Sequence, residues 1–306
     1  MGIAKYIKEI GRGKDGARAL SREQSADLFG QVLDGSVTDL ETGAFCLAMR
    51  IKGETAQEMA GFLDATHQRM SSIPAGERPL VVIPSYNGAR KLPLLTPLLA
   101  LLLARQGLRV LIHGAASEPT RVQVADVLAA LDIAPTSAIA PVAAGSVVFA
   151  PTGLLCPGLL RLLEVRRVVG LRNPAHSLVK LMNPGAGANL IVSSYTHPEY
   201  AVSMAETFAL MMSNALLLRG TEGESVADPR RHPRMELFVN GQGRLLQDMQ
   251  PGSLSAMPEL PRAIDPTSTA AYINAVLAGD SAVPEPIAAQ VTHIVLAEQQ
   301  MRTSMT

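Results

Sequence analysis

Tryptophan is absent from this chain of 306 residues, and Phe and Tyr together make up only 4% of it. A stacking platform for unpaired bases would therefore have to be thin. Cysteine is nearly as scarce: Cys46 and Cys156 stand alone in the apolar settings AFCLAM and GLLCPG. Two isolated thiols exclude a disulfide framework and leave no paired Cys/His spacing for a metal centre. Net charge is missing too, because 27 Lys and Arg balance 27 Asp and Glu. Bulk electrostatics thus predict neither an obligate nucleic-acid binder nor a membrane-surface protein, while leaving room for local patches. The longest apolar run, Leu92 to Ala104, has 13 residues between Lys91 and Arg105, short of the roughly 20 that span a bilayer. It reads as a buried core helix. The opening residues carry neither an uninterrupted apolar segment nor a cleavage signal. A soluble, cytoplasmic protein with no membrane partner is the expectation.

Hydrophobic residues make up 47% of the chain and charged residues 18%, enough apolar material for a sizeable core. The length suits about two domains. The first seventy or so residues read as helices. Ser21 opens a capping box with Gln24, and Asp34-Gly35 stops the helix that follows. Thr38 and Thr55 can cap the next two, with apolar stripes at helical spacing behind them. Ser71 to Pro79 breaks the pattern. From residue 80 short apolar runs appear at Leu80–Ile83, Val110–Ile112, Val147–Ala150, Leu190–Val192 and Leu216–Leu218, alternating with helical segments. Glu236–Val239 reads as an edge strand, Gly220 to Arg234 as a charged loop, and the end of the chain as helical. The fold class predicted is α/β. It comprises a small all-helical N-terminal domain (residues 1–73, with 155–182 packing on it) and a larger α/β domain (residues 74–306). In the larger domain helices flank a mainly parallel central sheet.

Three segments can carry chemistry. The loop Pro84-Ser85-Tyr86-Asn87-Gly88-Ala89-Arg90-Lys91 leads from a strand towards a helix N-terminus, where free backbone N–H groups suit an anion. It matches neither a Walker A loop nor a Gly-x-Gly-x-x-Gly fingerprint, and an ordinary turn with solvated cations is the alternative. His113-Gly114 closes the second strand, at the end where α/β sheets bind ligands, although a lone His also serves as a structural hydrogen-bonder. The third segment, Arg161 to Lys180, sets Arg161, Arg166, Arg167, Arg172 and Lys180 against the single acid Glu164. The start of the chain is likewise basic through Lys5, Lys8, Arg12, Lys14, Arg18 and Arg22. Arg230, Arg231 and Arg234 sit together further on. Aligned clusters of this kind make a track for phosphates; singly they are solvated faces or structural ion pairs.

In order and spacing these segments resemble the anthranilate phosphoribosyltransferase family, of the nucleoside-phosphorylase-like class (glycosyltransferase family 3). The collinear series comprises Pro84–Lys91, Leu111-Ile112-His113-Gly114, Val124–Leu128, Val148–Pro151, Val165–Arg172, Asn183-Pro184 and Asn274-Ala275. The resemblance implies an anion-binding loop of Ser85, Asn87, Gly88, Arg90, Lys91, Thr96, His113 and Gly114. It also marks departures. A Gly-Thr-Gly-Gly-Asp stretch that holds diphosphate in the enzymes reads Pro84-Ser85-Tyr86-Asn87-Gly88 here, with the bulky Tyr86 in it. An Asn-Ile-Ser-Thr stretch becomes Leu94-Leu95-Thr96-Pro97, and Lys-His-Gly-Asn becomes Ile112-His113-Gly114-Ala115. The Asp-Glu pair that looks to magnesium becomes Gly223-Glu224. His113 and Glu224 are then vestiges of a catalytic site.

Lost together, these groups argue against a reaction that must neutralise phosphoryl charge. The divergent loop resembles an offshoot of the family described as nucleic-acid-binding and homodimeric through its helical domain. The leading expectation is a nucleic-acid-binding protein with little sequence preference, taking single-stranded DNA or RNA and needing no cofactor or metal. Its candidate contacts are Lys5, Lys8, Arg166, Arg167, Arg172, Lys180, Arg230, Arg231 and Arg234. The alternative is a glycosyltransferase with altered substrate and dependent on magnesium, using His113, Arg90, Lys91, Glu224 and Arg166. A third reading is an anion or nucleotide sensor without turnover.

Overall fold

A computed structural model describes residues 2–13, 15–116 and 120–303. Lys14 of the N-terminal basic cluster lies outside them. The chain opens with four helices: α1 (Ala4–Ile10), α2 (Arg22–Asp34), α3 (Asp39–Lys52) and α4 (Ala56–Arg69). Ser21, Thr38 and Thr55 each form a reciprocal capping box with Gln24, Glu41 and Glu58, and Gly35 ends α2 in the left-handed conformation. Phe29, Phe45 and Phe62 pack ring against ring at the centre of this bundle.

Strands and helices then alternate: β1 (Leu80–Ser85), α5 (Thr96–Arg105), β2 (Arg109–Gly114), α6 (Val124–Ala129), β3 (Val147–Pro151), α7 (Thr152–Leu155), α8 (Pro157–Val169), α9 (Ala175–Leu178), β4 (Asn189–Tyr195), α10 (Pro198–Leu210) and β5 (Ala215–Thr221). After β5 come β6 (Glu224–Ala227), β7 (Met235–Val239), β8 (Gln242–Gln247), α11 (Pro266–Ala278) and α12 (Glu285–Thr303). The sheet order is β3-β2-β1-β4-β5-β7-β8, with β6 on β5; β1 to β5 run parallel and β6, β7 and β8 antiparallel. Strand alternation divides the core between two faces. Val82, Leu111, Ile191 and Leu217 face the helical bundle, while Val81, Ile112, Val192 and Leu216 face α5, α6, α11 and α12. Helix α8 returns to the bundle, where Arg161 donates to the Leu33 carbonyl of α2.

Three expectations require correction. The apolar run from Leu92 does not enter its helix until Thr96: the Leu92 N–H is spent on Glu222, and Pro97 fits only the first turn. Glu236–Val239 is not an edge strand, because β8 pairs along its outer side. The charged stretch Gly220–Arg234 is not a plain loop; Thr221 and Glu224–Ala227 are buried in strand pairing. No helix among the described residues is long and apolar enough to cross a membrane.

Candidate functional site: a filled anion cradle beside an interdomain cleft

The loop after β1 forms a nest of N–H donors to which α5 adds the Thr96 hydroxyl, and Gly88 takes φ +67° to turn the chain there. Ser85, Asn87, Gly88 and Thr96 converge as the sequence suggested. What they converge on is a carboxylate of the same chain. Glu224 Oε1 accepts the backbone N–H of Asn87 (2.7 Å) and of Gly88 (2.9 Å). Its Oε2 accepts the hydroxyls of Ser85 and of Thr96. Two residues earlier, Glu222 Oε2 accepts the N–H groups of Arg90 (2.9 Å), Lys91 (3.0 Å) and Leu92 (3.3 Å). Burial alone would raise the Glu222 carboxyl, but these donors and the charge of Arg121 hold it below the usual carboxylate range. The side chains of Arg90 and Lys91 point to solvent.

The turn that delivers both carboxylates is itself held. Lys180 Nζ donates to the Gly223 carbonyl (2.8 Å) and to the Ser194 carbonyl (3.4 Å), and Ser194 Oγ donates to the same Gly223 oxygen (2.9 Å). Glu222 sits at φ +53° and Gly223 at +92°; a Cβ on Gly223 would lie 2.1 Å from Asn87 Nδ2. Burial lowers the Lys180 ammonium to about 8. Lys180 is therefore an interior latch with its donors committed to carbonyls.

His113, the other vestige, is fully buried, so the expectation of a ligand-accessible His at the strand end fails. The Tyr86 hydroxyl lies 2.8 Å from His113 Nδ1 and 2.8 Å from Thr152 Oγ1. Tyr86 thus turns its bulk inward, into the core. Burial drives His113 down to about 3, making it a neutral structural group, and its Nε2 has no partner among the described residues. Gly114 lets β2 pass the Ser85 carbonyl, which a Cβ would meet at 2.3 Å.

The magnesium that the family resemblance implies does not fit the residues here. The Asp-Glu pair reads Gly223-Glu224, and the two carboxylates on this turn, Glu222 and Glu224, are surrounded by hydrogen-bond donors of the loop instead of fellow ligands.

Next to the cradle, between α3–α4 and the loops after β4, lies a cleft of about 550 Å³. Asn87 belongs to both. Tyr195, His197 and Tyr200 line it from the segment after β4, Arg172, His176 and Lys180 from around α9, and Arg50, Lys52 and Glu54 from the helical bundle. Of the basic clusters, Lys8, Arg167 and Arg172 are exposed and Arg166 is half-buried. Lys5 is largely exposed, 3.9 Å from Asp27. Arg167 lies 3.7 Å from Glu164. Arg230 and Arg231 share Asp228, and Arg234 lies between Glu236 and Asp248. That last cluster carries its own counter-charge. Glu222, Arg121, Tyr195 and Tyr200 went unmarked in the sequence, since only the fold carries them to the loop or the cleft.

Residues 4–70 match the glycosyl transferase family helical bundle domain. The chain is 42% identical over 310 residues to the uncharacterized protein YbiB of Escherichia coli (strain K12), covering 99% of this chain and 96% of that one. It is 25% identical over 228 residues to the anthranilate phosphoribosyltransferase of Persephonella marina, covering 72% of this chain and 66% of the relative. Among solved structures, anthranilate phosphoribosyltransferase from Thermus thermophilus superposes with a TM-score of 0.71 at 24% identity, over 95% of this chain and 87% of that one. The Saccharomyces cerevisiae enzyme in complex with PRPP and Mg gives 0.71 at 15% identity, over 97% and 89%. The helical-bundle match, the sequence likeness over nearly the whole chain and the superposition agree, and the protein belongs to glycosyltransferase family 3, on the anthranilate phosphoribosyltransferase scaffold.

Proposed function

We propose that this chain is a cytoplasmic nucleic-acid-binding protein on a phosphoribosyltransferase scaffold, holding phosphates through Arg and Lys with little sequence preference. The observation that supports it is the occupation of the cradle by Glu222 and Glu224. A phosphoribosyl donor brings several negative charges, and its transition state needs N–H groups, cations or metal free to meet them. Here five backbone N–H groups are spent on carboxylates of the chain itself, whose charge repels a second anion. Lys5, Lys8, Arg90, Lys91, Arg167 and Arg172 remain at the surface. They can neutralise phosphates without any catalytic geometry. Arg230, Arg231 and Arg234, with acids beside them, add less to such a field.

The proposal includes a homodimer joined through the helical domain. Leu40, Leu47 and Ile51 on α3 are 83%, 46% and 62% exposed. Their spacing of seven and four residues forms one stripe, which a second copy of the chain would cover.

The test is a fluorescence-anisotropy titration of labelled single-stranded DNA at two salt concentrations, with phosphoribosyl diphosphate and magnesium as competitor. Binding should weaken steeply with salt, by a slope of about −0.7 per phosphate neutralised, and ignore the competitor. Absence of binding at low salt, or release of pyrophosphate with an acceptor present, would overturn the reading.

A further inference from the structure

The few aromatic residues are not scattered. All six Phe are buried, as are Tyr6, Tyr86 and Tyr272. Tyr195, half-buried, and Tyr200, 40% exposed, are left at the surface, and both line the interdomain cleft. His197 stands beside them, its ring 6.2 Å from that of Tyr200 at 50°. Met49, Met59 and Met204 supply soft apolar wall. Arg172 and Lys180 bring positive charge to the same space. The acids there are Glu54, whose carboxyl burial pushes up, and the exposed Glu199. A cleft of about 550 Å³ lies within the usual range for a small-molecule site.

We infer that this cleft seats one unstacked nucleobase of a bound single strand, against Tyr200 and Tyr195, with Arg172 meeting the adjoining phosphate. The inference rests on the nucleic-acid reading and deepens it. Exposed cations alone would treat single strands and duplex by charge density. An aromatic cleft adds a stack that a duplex can reach only by unpairing and extruding a base, at a cost in pairing and stacking. Single strands are therefore preferred at equal salt. Every base has a π-face, so the preference carries little sequence information.

The experiment uses the full chain, a single-stranded oligonucleotide with 2-aminopurine at one position, and the matching duplex. Binding of the single strand should change the 2-aminopurine emission as the base leaves its neighbours for the cleft. Tyr200→Ala should lower the single-strand to duplex affinity ratio about tenfold, the scale of one base–aromatic stack, and Tyr200→Phe should restore it. An unchanged emission on binding, or an unchanged ratio in Tyr200→Ala, overturns the cleft inference and leaves phosphate binding standing. Failure of both nucleic-acid forms to bind at low salt overturns the nucleic-acid reading and this inference with it.

Discussion

Glu224 lies 2.9 Å from the backbone nitrogen of Gly88 and accepts its N–H, so a carboxylate occupies the anion cradle that the strand–loop–helix geometry creates. The same nest that would hold a phosphate in open form serves here as a structural joint between β1 and β6. The N–H groups of an anion nest are met here by carboxylates of the chain itself.

Neutralising that joint should be costly. Glu224→Gln replaces acceptor oxygen with an amide facing donors, leaving buried N–H or hydroxyl groups unpaired. The expected loss is about 2–4 kcal/mol, measured as a shift in the urea midpoint. A loss under about 0.5 kcal/mol would show that the cradle is not held by this carboxylate.

Acid sensitivity should trace to His113. Its folded-state value of about 3 lies below the ordinary 6.5. Between these values the unfolded chain binds a proton that the folded chain refuses, so stability falls as pH drops from about 6.5 towards 3. The contribution approaches about 1.4 kcal/mol per pH unit. Urea midpoints from pH 7 to pH 4 should decline less in His113→Asn than in the parent chain, and parallel declines would refute the assignment.

Arg109 is a further target. Its guanidinium is buried and donates to the carbonyls of Val142 (2.7 Å), Arg78 (2.8 Å) and Pro74 (3.0 Å). It clips the segment after the helical bundle onto the sheet. Arg109→Met should cost about 2–4 kcal/mol and open residues 71–79 to limited proteolysis. Unaltered protease resistance would place the clip elsewhere.

The α3 stripe bears on assembly. Leu47→Glu should convert a dimer to a monomer in sedimentation velocity, with little change in melting temperature at low protein concentration. A parent chain that sediments as a monomer at micromolar concentration would exclude the dimer.

Local rules made the helical bundle legible. Ser21 announced a helix start by the Gln three residues on, Thr38 and Thr55 by their place before apolar stripes, and all three form capping boxes. The parallel strands were legible because, covered on both faces, they read as unbroken apolar runs. Elements whose state depends on distant partners were not. Glu236–Val239 has the same sequence whether or not β8 flanks it. Glu222 looks like a surface acid in a charged stretch, and Glu224 like the remnant of a metal-binding pair, until β5 and β6 bring them to the loop after β1, Glu222 meeting Arg90 from 132 positions away in the chain.

Composition, caps and apolar periodicity by themselves determined a two-part α/β protein, because those signals act over one helix turn or one strand. Which carboxylate fills the cradle, which lysine latches it and which two tyrosines face a cleft were decided only by tertiary structure. Those are contacts between residues far apart in sequence, and their free energies come from burial and from donors that meet acceptors only after the sheet has formed.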